Sequence, residues 1–546
     1  MSDRPIPASS GEEFPPEQIL IGRGAAWVLT SLFILLLAIP PFLDDLPGRI
    51  GELAAAIPGK GSNKPIDERL RAYDSSVASA AFTNAPRRLT QQILTDILKK
   101  GNDRVLIGKD GWLFYRPEIQ ALTGYGPLDP EPHSVSRDPS LLDWQAPLQP
   151  IIAFGQQLKE RGVDLWLVPV PMKPSVYPEM LTGSPAAAPL RHSKAGPFFK
   201  HLEEAGGIRV KDPAGLLFTA KAGDATGGPV YLKDDTHWTG RGMVVTADFL
   251  ATEIRKQDWF RGLGGAAWPV EIVPSASGHG DLVEKLGLIM PERFQASRQE
   301  NLFVVKPPSG MVAATASTSP IVLIGDSFVN IFDDPSLGFG HPDGRPRTGA
   351  GLAGNLAAKL GMPLDVHAVN GEGASGVRRW LSQRGESVVR SKKLVIWVIA
   401  ERDLFLSRSV AKANRITWDY VTFAPDQPAG NLTPEAAGGP IVVEAEVIAQ
   451  SEQADPRRAN YENALYTVQY RIRKNLSGSS VSGDVEVVHW AFKKRTLQPT
   501  AKLEIGQVYR LTLEPWASQQ ELQPINRGEL GEAPPPWWSL GAERVP

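Results

Sequence analysis

The chain has 546 residues, 58 Lys+Arg against 60 Asp+Glu for a formal net charge of -2, 42% hydrophobic residues and no cysteine. That length exceeds what one hydrophobic core usually serves, so two folded units plus extensions are expected. The balanced charge argues against a nucleic-acid partner, and the missing thiols exclude disulfides, a cysteine nucleophile and thiolate metal ligands.

In chain order, residues 1–23 read as a cytoplasmic tail, and Gly24–Leu43 (GAAWVLTSLFILLLAIPPFL) is a charge-free run long enough to span a bilayer as a helix. Arg23 precedes it while Asp44 and Asp45 follow, which favours an N-terminus inside and the bulk of the chain in the periplasm. A cleaved signal peptide is the rival reading. Residues 44–100 form a stalk with one amphipathic helix in PRRLTQQILTDILKKG (Pro86–Gly101), where Leu89, Ile93 and Ile97 share a face.

Residues 101–423 alternate helical and strand patterns. RVLIGKDGWLFY predicts two short strands about a Lys-Asp-Gly turn, and helix PIIAFGQQLKERG leads into the apolar run VDLWLVPV. FFKHLEEAGG precedes IRV, TGRGMVVTADFLATEIRK is a capped helix, and IVLIG ends at Gly-Asp-Ser. GLAGNLAAKLG precedes LDVHAVN, and a helix over VRRWLSQRGESVVR (Val377–Arg390) precedes KLVIWVIA. Continuous apolar strands between helices mean a doubly wound parallel sheet, α/β/α, covered on both faces. Residues 424–440 are a linker by composition. Residues 441–520 carry four period-2 runs and predict a small antiparallel β domain, a barrel or sandwich. Residues 521–546 read as a poorly ordered tail.

Two short stretches carry chemistry. In IVLIGDSFVN, Ser327 follows a buried strand, where an open parallel sheet presents residues to a ligand crevice. Its own N–H lies in position to receive an oxyanion, and the alternative is that Asp326 or Ser327 is only a helix cap. A serine needs a base. In YLKDDTHWTG, Asp235 and His237 are i and i+2, so an extended backbone turns both to one side and lets the carboxylate orient the imidazole. Asp234 is the alternate acid, facing the other way. A capping aspartate beside a surface histidine, or half a metal site, stays open here; no second histidine is near in sequence, and no metal is assigned.

GDSF (Gly325–Phe328) preceded far upstream by DTHW (Asp235–Trp238) resembles the alginate O-acetyltransferase (AlgJ/AlgX-type) branch of SGNH-like proteins. GKDGWLFY, VPVPMKPSVYP and NGEGASG fall in the matching order, and together the pieces cover roughly residues 100–410. The resemblance implies Ser327 as nucleophile, His237 as base and Asp235 as its partner, within an SGNH-like fold. For the oxyanion, the Ser327 N–H and an N–H near Gly373 are the candidates. Arg402, just after KLVIWVIA, is a substrate-binding candidate for an anionic or hydroxyl-rich sugar, or else an arginine paired with Glu401 or Asp403. Lys173 and Tyr115 are further substrate-side candidates that can equally pack or cap. In the β domain Trp490, Phe492, Trp516, Trp537 and Trp538 either stack on sugar rings or fill the core.

The expected activity is a membrane-anchored periplasmic O-acetyltransferase that acylates a secreted polysaccharide through an acyl-enzyme. No cofactor is expected, since acetyl-CoA is not available outside the cytoplasm. The resemblance implies a multi-spanning partner of the MBOAT type that exports acetyl groups. A carbohydrate acetylesterase with the same triad, and a non-catalytic polysaccharide-binding scaffold, are the alternatives.

Overall fold

The computed structural model describes residues 81–129, 147–308, 315–342, 349–414, 416–425 and 439–545, with gaps at 452, 454–455, 457–462, 482, 520–521, 523–524, 526, 529 and 531–536. The expected span Gly24–Leu43 lies outside them, with all of residues 1–80 and most of the 424–440 linker. Among the described residues no helix is long and apolar enough to cross a membrane. The chain divides into two compact units, Met1–Thr90 and Gln91–Pro546.

Helix α1 (Ala81–Asp96) opens the described chain. It begins and ends about one turn earlier than its sequence pattern, and its burial reverses the expectation. Gln92 and Thr95 are buried while Leu89, Ile93 and Ile97 are exposed. The polar side chains turn inward because they find partners: Gln92 Oε1 accepts the Met290 N–H at 3.0 Å, and Thr95 Oγ1 donates to the Lys100 carbonyl. A hairpin follows, β1 (Val105–Ile107) antiparallel to β2 (Leu113–Tyr115), then α2 (Arg116–Thr123).

The body alternates as the apolar pattern requires. Helix α3 (Leu148–Glu160) precedes β3 (Asp164–Val170), and α4 (Ala195–Gly206) precedes β4 (Arg209–Val210). Helix α5 (Gly240–Arg255) starts on Thr239, whose hydroxyl accepts the Gly242 N–H, a cap visible in the sequence. An insertion carries β5 (Val270–Pro274), α6 (Asp281–Leu286) and β6 (Asn301–Val305), with β5 and β6 paired antiparallel. Strand β7 (Ile321–Gly325) runs into the single turn α7 (Ser327–Asn330). Then come α8 (Leu352–Leu360), β8 (Asp365–Ala368), α9 (Gly376–Ser382), β9 (Leu394–Ala400) and α10 (Glu401–Phe405). The helix expected over Val377–Arg390 is broken: α9 stops at Ser382, and Gly385 turns the chain at φ 86° before a second short helix, Glu386–Arg390.

Five strands form one parallel sheet in the order β4-β3-β9-β7-β8. Alternate residues of each strand enter opposite cores. Trp166, Val168, Leu323, Ile396 and Val398 pack on one side, above α5 and α8. Leu165, Leu167, Val322, Ile324 and Trp397 pack on the other, against α3, α4 and α9. Each such fully buried aliphatic costs about 2–5 kcal/mol to truncate to alanine, which fixes the sheet and everything mounted at its carboxyl edge.

The C-terminal region is a closed barrel. Its strands are β10 (Ile441–Gln450), β11 (Ala464–Ser477), β12 (Asp484–Lys493), β13 (Thr496–Leu497), β14 (Val508–Pro515), β15 (Arg527–Gly528) and β16 (Trp537–Arg544). The circuit β12-β16-β14-β10-β11 returns to β12. Residues 521–546, expected as a loose tail, contain the strand that closes it: β16 lies antiparallel to β14 and parallel to β12. Trp537 and Trp538 are buried there because unpaired edges and exposed indoles are both costly. Phe492 and Trp516 are likewise buried, so these aromatics are core, with Trp490 only partly covered.

Candidate active site

Ser327 follows the carboxyl end of β7, which lies between the central strand β9 and the edge strand β8. Gly325 is required there by crowding and not by a special backbone angle: a Cβ on it would meet Val329 Cγ2 at 2.7 Å and the Val398 carbonyl at 2.8 Å. Asp326 is the cap of α7, its Oδ1 accepting the Phe328 N–H at 2.9 Å and its Oδ2 the Ala400 N–H at 3.2 Å. The cap expected at Gly-Asp-Ser is therefore Asp326 and not Ser327. Asp326 caps and pins β7 to β9, which leaves the Ser327 hydroxyl to face the crevice.

His237 arrives from a loop between Val230 and Thr239. This loop folds back on itself through a bridge between Tyr231 and Trp238 and a bond from the Leu232 N–H to the His237 carbonyl at 3.0 Å. It brings His237 Nε2 to 2.7 Å from Ser327 Oγ and His237 Nδ1 to 2.6 Å from Asp235 Oδ1. The same Asp235 oxygen accepts the His237 backbone N–H at 2.9 Å, and Asp235 Oδ2 accepts the Asp281 N–H at 2.7 Å. Asp235 and His237 are buried and Ser327 is half-buried, so the relay is dry on its acid side and open at its hydroxyl. Phe328 packs 4.7 Å from the imidazole, centroid to centroid, and walls it.

A family model described as SGNH hydrolase-like domain, acetyltransferase AlgX, matches residues 105–401, more than half of the chain. The chain belongs to this family. Membership places it among O-acetyltransferases of SGNH-like type. It is 27% identical over 312 residues to a protein of Azotobacter vinelandii named "Probable alginate O-acetylase AlgJ", across 56% of this chain and 71% of that one. A Pseudomonas aeruginosa protein of the same name is 31% identical over 160 residues, 29% of this chain and 35% of that one. Among solved structures, the O-acetyltransferase domain of Pseudomonas putida AlgJ is 23% identical with a TM-score of 0.38, covering 56% of this chain and 92% of that one. Pseudomonas aeruginosa AlgX is 18% identical with a TM-score of 0.37, covering 76% and 92%.

In this AlgX-family chain the remaining sequence candidates separate. Asp234 lies in a turn, not in the expected extended chain, and pairs with Arg298 at 2.6 Å. Gly373 lies against Asp326, the residue before Ser327: a Cβ on it would stand 2.8 Å from Asp326 Oδ2. Arg402 is partly exposed at the carboxyl edge of the sheet. Its guanidinium lies 5.9 Å from the Phe328 ring and 5.6 Å from the Tyr115 ring, and it pairs with Glu118 at 3.4 Å and Asp403 at 3.5 Å. The ion-paired reading is thus realised through Asp403 and the unforeseen Glu118, beside the ring of Phe328, the residue after Ser327. Tyr115 is buried, its hydroxyl donating to Asn414 Oδ1 at 2.8 Å, so it packs. Lys173 is fully buried and is not positioned to touch a substrate; its ammonium meets backbone carbonyls beneath the acid loop.

Two acidic residues escaped the sequence reading. Asp281, in the insertion, receives the Thr236 N–H at 2.8 Å and hydroxyl at 2.9 Å and the Lys285 ammonium at 2.8 Å. Burial pushes its carboxyl up, but Lys285 and the neighbouring His237 hold it below the usual range. Glu118 on α2 is buried with one oxygen unpartnered, and burial pushes it up to about 7 against the pull of Arg402 and Lys173. Nothing in their local patterns marked them, because Thr236 and Arg402, which bring them to the site, lie far away in sequence. Asp235, His237 and Asp281 each bring one ligating atom within 4.8 Å of the others. Both imidazole nitrogens already lie in the Asp235–His237–Ser327 line, so a cation here would have to break it.

Proposed function

We propose that the chain acetylates hydroxyls of a secreted polysaccharide through an acetyl-enzyme on Ser327. The line Asp235–His237–Ser327, with contacts of 2.6 and 2.7 Å, is the observation that carries this reading. His237 Nε2 takes the hydroxyl proton as Oγ attacks the donor's acetyl carbonyl, while Asp235 holds Nδ1–H and favours the imidazolium. The tetrahedral oxyanion is received by the Ser327 N–H, with an N–H near Gly373 as the second donor. On collapse the proton passes from His237 to the leaving group. A sugar hydroxyl then attacks the acetyl carbonyl, gives its proton to His237, and Ser327 Oγ leaves and is reprotonated.

Arg402 at the edge of the site suits an anionic or hydroxyl-rich sugar, in keeping with relatives named for alginate acetylation. The charge-free run Gly24–Leu43 supports an inner-membrane anchor with the catalytic region in the periplasm, where an MBOAT-type export protein supplies the acetyl group. The half-buried Ser327 admits water as well as sugar, so hydrolysis of the acetyl-enzyme is the competing outcome.

The test is incubation with a chromogenic acetyl ester, with and without acceptor oligosaccharide, followed by intact-mass spectrometry. The wild type gains one acetyl group and passes it to the acceptor, and Ser327→Ala does neither. Undiminished transfer by Ser327→Ala ends the mechanism, and release of acetate alone makes the protein an esterase. Polymer acetylation that survives Ser327→Ala but is lost on deleting the region after Gly439 makes it a scaffold.

A further inference from the structure

Below the acid loop three backbone carbonyls converge on one point. Leu232 O, Lys233 O and Asp235 O lie 3.1, 3.1 and 2.6 Å from Lys173 Nζ. Buried carbonyls need donors, and an ammonium offers three N–H groups and no acceptor. The ammonium meets all three, and Lys233 O also accepts the Leu113 N–H at 2.8 Å. Lys173 reaches the point from the turn after β3, and its Nζ lies 5.8 and 5.4 Å from the centroids of the Trp112 and Phe114 rings. The group is fully buried, and the acidic side chains that face it are Glu118 from α2, Asp234 and Asp235 from the acid loop, and Asp281 from α6.

Resting on the triad reading, we infer that Lys173 is a positioning residue: its ammonium clamps the loop that carries Asp235 and His237. A neutral amine cannot do the same. It has two N–H donors and a lone pair, so one of the three carbonyls would face a lone pair, a repulsion that the Leu113 N–H on Lys233 O does not relieve. The loop would then shift, and a shift of about 1 Å at a catalytic group costs on the order of 100-fold in rate. Burial pushes the Lys173 ammonium down to about 8, while Glu118 and Asp235 act to keep the proton on. The clamp therefore holds below that value and loosens as pH rises through it.

The experiment uses the full chain and a chromogenic acetyl ester across pH, with Lys173→Met and Glu118→Gln, and follows the downfield proton resonance of the Asp235–His237 hydrogen bond. Lys173→Met lowers kcat about 10- to 100-fold with KM little changed, and its downfield resonance weakens or vanishes. Glu118→Gln keeps the ammonium but removes its counter-charge, so the alkaline limb of its pH–rate profile moves to lower pH; a purely structural role does not move that limb. Wild-type kcat in folded Lys173→Met overturns the inference. If that variant does not fold, the Glu118→Gln profile decides alone: a displaced limb supports the clamp and an unmoved one overturns it. Activity retained in Ser327→Ala defeats the triad chemistry instead, and the resonance still reports whether Lys173 sets the geometry.

Discussion

Replacing Asp235 by asparagine keeps the shape of the acid and removes its charge, at a position where three N–H groups converge on two oxygens: His237 Nδ1–H, His237 N–H and Asp281 N–H. A carboxamide has one oxygen, so either orientation leaves one buried N–H facing an NH2 group. With the oxygen toward His237, the tautomer survives but the imidazolium loses its charge-assisted partner, worth about 1.5–3 kcal/mol or about 10- to 150-fold in kcat. With the NH2 toward His237, Nδ1 must accept, the Nε2 proton then faces Ser327, and the loss grows toward about 10⁴-fold because the base holds the wrong tautomer. Both orientations also lower stability by about 1–3 kcal/mol through the unpaired N–H. Expected, then, is a kcat reduced at least about 10-fold on a chromogenic acetyl ester, with KM nearly unchanged and a thermal midpoint a few degrees lower. An Asp235→Asn variant within about twofold of wild-type kcat would refute the relay, since neither orientation of the amide can supply the lost charge.

Gly373→Ala sets a methyl 2.8 Å from Asp326 Oδ2 and 2.9 Å from its Cβ, so the residue that pins Phe328 and Ala400 must move; stability falls by about 1–3 kcal/mol and kcat falls with it, as denaturant titration and ester turnover will read. Asp333, after α7, accepts the Ala350 and Gly351 N–H groups at 2.8 and 2.9 Å, and burial pushes its carboxyl up to about 7. With its folded value above its unfolded one, its favourable contribution is full below the ordinary aspartate range and is lost as pH rises to about 7. Denaturant midpoints measured from pH 4 to 8 should thus show a slope in the wild type that Asp333→Asn flattens.

The order of helices and strands was legible because its signal is local: apolar strands buried on both faces read as continuous runs, and Thr239 announced its helix. The Asp235–His237 pair was legible from its i, i+2 spacing, but the expected extended backbone is not what joins it: residues 233–237 turn, and Asp235 Oδ1 meets both the His237 N–H and Nδ1 across that turn. Their distance to Ser327, 90 residues on, was not local, and the resemblance supplied it. Lys173 misled because a lysine after a strand looks solvent-facing, whereas its partners are carbonyls with no side-chain signature. Asp281 and Glu118 stayed hidden because an insertion and a remote helix deliver them. Helix α1 shows the limit of periodicity, for hydrogen-bond partners decided which stripe turned inward.

Strand β16 also governs when the second unit becomes whole. Residues 441–515 can pair as β11-β10-β14 and β11-β12, but the gap between β12 and β14 stays unfilled until residues 537–544 have left the ribosome. Until that moment two strand edges are bare, and secretion machinery or a chaperone that keeps the chain extended would spare it from pairing with a neighbour. Completion of this barrel is consequently a late event in the life of each molecule, set by the delivery of one short segment.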